Sequence, residues 1–197
     1  MNIYMVRHGE TDWNVGRRWQ GISDIPLNAN GIRQAHMAAE KFAGMQVKIG
    51  TVYTSPLTRA RKTAETIADK LGAGLVEVSD LREICVGAWE GMDVSSIISQ
   101  PEYEAWEEGK AQSPGGESKQ QVLKRVLAAI SQIAAAESGD FVIVAHSLVI
   151  RVFVCNILMA PLGVWRSFSI DNCAVSTIGY DKSTGLFKII TLNDRLA

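Results

Sequence analysis

The chain has 197 residues, of which 47% are hydrophobic and 21% are charged, and its formal net charge is −1 at pH 7. These values are typical of one soluble globular domain, and they exclude the basic field that nucleic acid or an anionic membrane would need. The chain opens without the features of a secretory signal, and its apolar runs are too short to span a membrane. We therefore expect a cytoplasmic monomer or homodimer without a nucleic-acid or membrane partner.

The first third of the chain alternates between apolar strands and amphipathic helices. Residues 2–7 and 52–54 are apolar runs that predict buried strands. A helical stripe follows Asn28, which is suited to be its N-cap. A second stripe has Ser55 as a candidate N-cap and Gly72 just after its end, which are typical helix boundary signals.

The middle of the chain begins with residues 75–79, which predict another buried strand. The stretch from Gly91 to Glu117 then has weak periodicity, contains Trp106 and includes an SPGGES turn. We expect a short-helix excursion over one end of the sheet at about residues 91–117. Such excursions often act as lids or specificity elements, and a plain surface connection fits the pattern equally well.

The last third continues the alternation. A helix is predicted over about residues 117–137, a buried strand over 141–145, and another helix from His146 to before Pro161. Two further apolar strands flank DKSTG and predict a hairpin. Together these elements predict a single α/β domain over residues 1–197, a three-layer α-β-α sandwich with a mostly parallel sheet and one antiparallel edge.

Polar residues gather where the parallel strands end. Ligands of such sheets bind outside the carboxyl ends of the strands, so residues at these ends should converge. Two histidines, two arginines and one glutamate occupy such positions or follow them closely: Arg7, His8, Arg59, Glu83 and His146. Guanidinium groups suit a phosphate or a carboxylate, so this edge is predicted to bind an anion.

Other residues near these five could take part in the predicted anion site or replace one of its members. Gly9 would let the backbone approach a ligand closely. Arg59 falls in the first turn of its helix, where anions bind, and Glu90 is a competing carboxylate for Glu83. Trp13 and Trp19 either form an apolar wall or only pack. We interpret Arg17, Arg18 and Arg33 as surface charges, and His36, which lies within a helix, as a residue without a role in the site.

The three cysteines, Cys85, Cys155 and Cys173, are scattered and lack the spacing of a metal site. Two of them have apolar neighbours, which favours buried free thiols. We expect neither a metal ion nor a cofactor.

Five motifs occur in order over nearly the whole chain: RHGETDWN, WQGISDIPLNANGIRQA, TSPLTRARKTAE, LREICVGAWEG and VAHSLVIR. In combination they resemble the histidine phosphatase superfamily, also called the phosphoglycerate mutase-like family. The resemblance is nearest to small bacterial phosphatases of that family, such as α-ribazole phosphatase and the broad-specificity phosphatases. It implies a phosphoglycerate mutase-like fold and metal-independent hydrolysis of a small phosphorylated metabolite through a phosphohistidine.

The resemblance also implies residue roles. His8 matches the nucleophile that becomes phosphorylated, and Glu83 matches the acid/base residue. Arg7, Arg59 and His146 match the residues around the phosphoryl group. Further residues match positions that line the phosphate and substrate pocket: Asn14, Gln20, Gly21 and Ser147. Many members have Gly where this chain has Ser147, and a backbone with positive φ would be strained there.

The chemistry sets two requirements. His8 must be neutral at its attacking nitrogen, and a backbone carbonyl could hold its other nitrogen protonated. Glu83 must be protonated when it donates to the leaving group, so its pKa must be raised although two arginines lie nearby.

Three other functions could use some of these residues. A mutase would use the same residues, so the motifs do not separate it from a phosphatase. A phosphate-binding module without turnover is less favoured, since all five catalytic-type positions are intact. A serine hydrolase with Ser147 as nucleophile lacks the flanking glycines of its motif, because Ala145 and Val149 occupy those positions.

Overall fold

A computed structural model of the chain describes residues 1–196. Within this range a six-stranded sheet carries helices on both faces. The strands are β1 (Asn2–Arg7), β2 (Thr51–Thr54), β3 (Gly74–Glu77), β4 (Phe141–Ala145), β5 (Val175–Asp181) and β6 (Leu186–Asp194). The helices are α1 (Asp12–Val15), α2 (Ala29–Gly44), α3 (Thr58–Leu71), α4 (Val94–Ile98), α5 (Tyr103–Glu107), α6 (Lys119–Ala136) and α7 (Ser147–Ile157).

The strand order is β3-β2-β4-β1-β5-β6. Strands β1 to β4 are parallel, whereas β5 pairs antiparallel with both β1 and β6. This confirms the predicted three-layer α/β fold with a mostly parallel sheet and an antiparallel edge. Arg7 at the end of β1 lies opposite Ala145 at the end of β4, so these central strands finish level with each other.

Side-chain alternation along β1 shows how the layers form. Ile3 and Met5 belong to the core that α6 and α7 cover, and Tyr4 and Val6 belong to the core that α2 and α3 cover. Successive strand residues face opposite sides of a sheet, so a central strand between two helical layers must be apolar throughout. All five residues of β4 are buried for the same reason.

Two local predictions were wrong. Strand β3 forms, but its four residues are exposed because β3 is at the edge of the sheet. Ser55 does not cap α3, which begins at Thr58. Asp24 acts there instead: its carboxylate accepts from the Thr58 amide at 2.7 Å and from the Thr58 hydroxyl at 2.6 Å. The predicted boundaries at Asn28 and Gly72 are confirmed.

The excursion contains the short helices α4 and α5. Ile97 and Trp106 are fully buried, so this segment is anchored in the core that also contains α6 and α7. Cys155 and Cys173 are buried free thiols, as predicted. Among residues 1–196 no helix has both the length and the apolar character needed to cross a bilayer.

Candidate active site

The predicted convergence of strand ends is present. The His8 amide donates to Ala145 O at 3.0 Å, and the Ser55 amide donates to Val144 O at 3.1 Å. The ends of β1, β4 and β2 are thereby level, and the His8 and His146 rings lie 5.2 Å apart between centroids. Glu83 reaches the same edge from the turn after β3, where its Oε2 accepts from the Leu148 amide at 3.4 Å, at the N-terminus of α7.

A cavity of about 200 Å³ opens at this edge. Eight of the nine predicted site residues line it: Arg7, His8, Asn14, Gln20, Gly21, Arg59, Glu83 and Ser147. His146 does not line the cavity but is buried beside the His8 ring, with Nε2 at 2.8 Å from Ser55 Oγ. Ser147 is the first residue of α7, so the helical backbone there carries no strain from replacing Gly.

The protonation of His8 follows from its contacts. Nδ1 lies 2.7 Å from Gly9 O, and a carbonyl can only accept, so Nδ1 carries the hydrogen. Burial lowers the pKa of His8 well below its usual value, and the charges of Arg59 and Arg7 lower it further. The imidazole is therefore neutral at pH 7, with an unprotonated Nε2 available as a nucleophile.

Gly9 has a packing role that was not expected. A Cβ there would lie 2.5 Å from Gly31 O, and a Cβ on Gly31 would lie 2.1 Å from Glu10 O. The pair lets α2 pack directly on the backbone that carries His8. Gly9 is thus required by helix packing.

The two arginines are held by backbone carbonyls. Arg59 donates to Ser23 O at 2.7 Å and Gly21 O at 2.8 Å, and Arg7 donates to Ile170 O at 2.8 Å. The Nε atoms of Arg7 and Arg59 are buried with no partner within residues 1–196. Burial lowers the pKa of Arg7 to about 10, which leaves it cationic at neutral pH. The site therefore contains two cationic side chains that are fixed in place and still have hydrogen-bond donors without a partner among residues 1–196.

Glu83 has the raised pKa that the chemistry requires. Burial is the main cause, and it outweighs the lowering effects of the Ile84 amide and of Arg59. The competing carboxylate, Glu90, accepts from the Ile22 amide at 3.1 Å and from Ser23 Oγ at 2.5 Å. Glu90 thus shapes the loop that holds Arg59, while Glu83 lines the cavity.

His146 is also neutral in this structure. Burial lowers its pKa well below the usual value, with Arg59 as the next cause. Its Nδ1 is buried without a partner in the described part of the chain.

Sequence reasoning missed several residues at the site. Arg18, interpreted as a surface charge, is exposed and yet lines the cavity. Of the two candidate wall tryptophans, Trp19 lines the cavity, whereas Trp13 is not among its lining residues. The rest of the lining is apolar: Ile84, Val86, Trp106, Leu148 and Trp165.

Asn172 was also missed. Its Nδ2 donates to His8 O at 2.9 Å and contacts Asn14 Oδ1 at 3.4 Å. A signal existed, because β5 is antiparallel and its amino end meets the carboxyl end of β1. Polar residues just before β5 should therefore have been included with those that follow the parallel strands.

These contacts define what the site can do. It can hold an anion between two guanidinium groups and present a neutral imidazole nitrogen to it. It can also supply a proton from a carboxyl group whose pKa is raised.

Comparisons with known proteins agree with this geometry. The family model described as histidine phosphatase superfamily (branch 1) matches residues 3–195. A Klebsiella pneumoniae protein named probable phosphoglycerate mutase GpmB is 34% identical over 193 residues, covering 94% of this chain and 88% of the relative. Its Salmonella choleraesuis counterpart is 35% identical over 195 residues, with the same coverage.

Two solved structures are similar over nearly their whole length. Mycobacterial glucosyl-3-phosphoglycerate phosphatase with VO3 has a TM-score of 0.87, 28% identity and 98% coverage of both chains. Phosphoserine phosphatase from Entamoeba histolytica, in complex with 3-phosphoglyceric acid, has a TM-score of 0.86 and 26% identity, covering 98% of this chain and 96% of that one. The chain therefore belongs to the histidine phosphatase superfamily, branch 1, as the motifs indicated.

Proposed function

We propose that this chain is a metal-independent phosphomonoesterase that hydrolyses a small phosphorylated metabolite through a phosphohistidine at His8. The observation that carries the proposal is the bond from His8 Nδ1 to Gly9 O, which leaves Nε2 unprotonated beside Arg7 and Arg59. The family supports a phosphoric monoester hydrolase, and the structural neighbours are phosphatases named for small phosphate esters.

Substrate binding would neutralise the phosphate. A monoester carries about two negative charges near neutral pH, and the guanidinium groups of Arg7 and Arg59, which line the cavity, are suited to donate to its non-bridging oxygens. Both arginines are already anchored, so little reorganisation accompanies the spread of charge in the transition state. The His146 ring lies 5.2 Å from the His8 ring between centroids, and its unpartnered Nδ1 would contribute a further contact to the phosphate.

The first chemical step would transfer the phosphoryl group to His8. The Nε2 lone pair attacks phosphorus, the ester P–O bond breaks, and its electron pair goes to the leaving oxygen. Glu83, kept protonated by burial, donates its proton to that oxygen and releases the alcohol.

The second step would reverse these roles. A water molecule attacks the phosphorus of the phosphohistidine, and the Glu83 carboxylate takes a proton from it. The P–N bond breaks, its electrons return to Nε2, and inorganic phosphate leaves.

The excursion at about residues 91–117 would act as the specificity element, because Trp106 from α5 lines the cavity. We also propose that residues 1–197 form one histidine phosphatase domain, of which Ala197 is outside the described residues. A cytoplasmic location and a monomeric or homodimeric state are still predictions.

A His8→Ala variant tests the proposal directly. We expect it to lose both phosphate release and incorporation of labelled phosphate, because no other group replaces Nε2. His36→Ala, an exposed histidine on α2, is the matched control and should retain both. A protein that loses its activity in EDTA, or that is still labelled in His8→Ala, would contradict the mechanism.

A Glu83→Gln variant tests the proton donor. General acid catalysis contributes about 10²- to 10⁴-fold, and this contribution matters most when the leaving alkoxide is basic. We expect a loss in that range for alkyl phosphates and a much smaller loss for aryl phosphates. Equal losses for both substrate types would remove Glu83 from the acid role.

A mutase is the second candidate, because the curated relatives carry the name probable phosphoglycerate mutase. Such an enzyme would return the phosphoryl group to another hydroxyl before water attacked. Incubation with 3-phosphoglycerate separates the two functions: a phosphatase releases inorganic phosphate, whereas a mutase forms 2-phosphoglycerate without net release.

A further inference from the structure

Arg125 on α6 binds the chain segment that carries Glu83. Its Nη1 donates to Asp80 O and to Arg82 O, each at 2.7 Å, and its Nη2 donates to Glu83 O at 3.1 Å. Arg125 is not among the cavity-lining residues, so its contact with the site is through this segment.

Glu117 completes the arrangement from the other side. Its carboxylate accepts from Arg125 Nε and Nη2, both at 3.0 Å, and its Oε2 also accepts from the Cys85 amide at 2.9 Å. The Glu117 amide donates to Cys85 O at 2.7 Å. The side chains of Arg125 and Glu117 are 11% and 19% exposed, so water competes little for these bonds.

The segment needs such support because it lies outside the sheet. Residues 82–86 connect two short 3-10 turns, Ser79–Leu81 and Gly87–Trp89. No strand ladder fixes their backbone. The Glu83 carboxylate must nevertheless lie at the N-terminus of α7 and inside the cavity.

We propose that Arg125 and Glu117 are a positioning pair for Glu83, an inference that rests on the proposed acid/base role of that residue. The planar guanidinium donates at once to three backbone carbonyls, those of Asp80, Arg82 and Glu83, and to the Glu117 carboxylate, which an ammonium group cannot do. The pair acts on the proton transfer step and leaves the phosphate-binding arginines untouched.

The expected effect is a selective loss of acid catalysis. Misplacement of a catalytic group by about 1 Å can cost about 10²-fold in rate. Arg125→Gln should therefore lower kcat/KM for an alkyl phosphate about 100-fold. For 4-nitrophenyl phosphate, whose leaving group needs little protonation, the loss should be less than about 3-fold.

The experiment compares these two substrates across four further variants. Arg125→Lys keeps the positive charge but loses the planar set of N–H donors, so it should show the same selective loss. Glu117→Gln keeps one acceptor oxygen and should show a selective loss of about 10-fold. Lys124→Gln, an exposed neighbour on α6, is the control and should match the wild type. Glu83→Gln removes the proposed proton donor itself and therefore gives the largest expected difference between the two substrates.

Folding is monitored by inhibition with inorganic phosphate, which should change less than about 2-fold because His8 and both arginines are intact. If Arg125→Gln does not fold, Glu117→Gln carries the test. Equal losses for both substrates, no loss, or full rescue by Arg125→Lys would overturn the positioning role.

The outcome for Glu83→Gln separates this inference from the proposed function. If Glu83→Gln discriminates between the substrates and the Arg125 variants do not, only the positioning role fails. If Glu83→Gln itself does not discriminate, the acid role fails and the positioning role fails with it.

Discussion

Acid should destabilise this protein because two of its histidines are buried and uncharged. His8 is 3% exposed and His146 is fully buried. Burial is the largest cause of the lowered pKa of each, and the charge of Arg59 is the next. In the unfolded chain both imidazoles would titrate near their ordinary value of about 6.5.

The sign of the effect follows from proton binding. Below about pH 6.5 the unfolded chain takes up protons that the folded chain does not, so the free energy of unfolding falls as the pH falls. A histidine that stays neutral in the folded state contributes about 1.4 kcal/mol per pH unit below its unfolded pKa. Moving from about pH 7.5 to about pH 5.5 should therefore remove roughly 1.4 kcal/mol for each, or about 3 kcal/mol for both.

Urea denaturation at the two pH values measures this difference. In His146→Gln the pH-dependent change should be smaller than in the wild type by roughly 1.4 kcal/mol, because one buried imidazole is gone. His36→Gln, which removes an exposed histidine, should match the wild type. A His146→Gln protein with the full wild-type pH dependence would refute the assignment of acid sensitivity to the buried imidazoles.

Two further predictions, one of them with a control variant, concern the structure around the site. Gly31→Ala should cost about 3 kcal/mol of unfolding free energy, because its Cβ would lie 2.1 Å from Glu10 O. Gly139→Ala, where a Cβ meets no atom within 4 Å, is the control and should cost little when both variants are compared by urea denaturation. Glu90→Ala removes the acceptor that shapes the loop around Arg59, so KM and the inhibition constant of phosphate should both rise about tenfold. Unchanged binding would show that the loop holds its shape without the carboxylate.

The predicted fold and the convergence of the site come from features that a local stretch of sequence records. The run FVIVA is apolar at every position, which is typical of a central strand covered on both faces, and β4 is buried throughout. Polar residues that follow such strands must meet at one edge, because parallel strands end on the same side. The strand ends alone therefore predict that His8, His146 and Arg59 lie together.

Errors arose where a residue's environment depends on distant parts of the chain. The LVEVS segment is apolar enough for a central strand, but only its pairing partners place β3 at the edge. Ser55 is a good N-cap by type, yet its hydroxyl contacts His146, while Asp24 binds the start of α3. Local propensity cannot anticipate a competing partner that folding brings from elsewhere in the chain.

The amino-acid sequence alone therefore determined the layers, the parallel sheet and the motif residues, because periodicity and strand ends are local properties. Only the tertiary structure decided which distant residues hold the motif residues in place. Asn172 binds His8 O across 164 positions of sequence, and Arg125 reaches Glu83 O across 42. Such contacts depend on the packing of whole layers, which brings together residues that no short-range pattern connects.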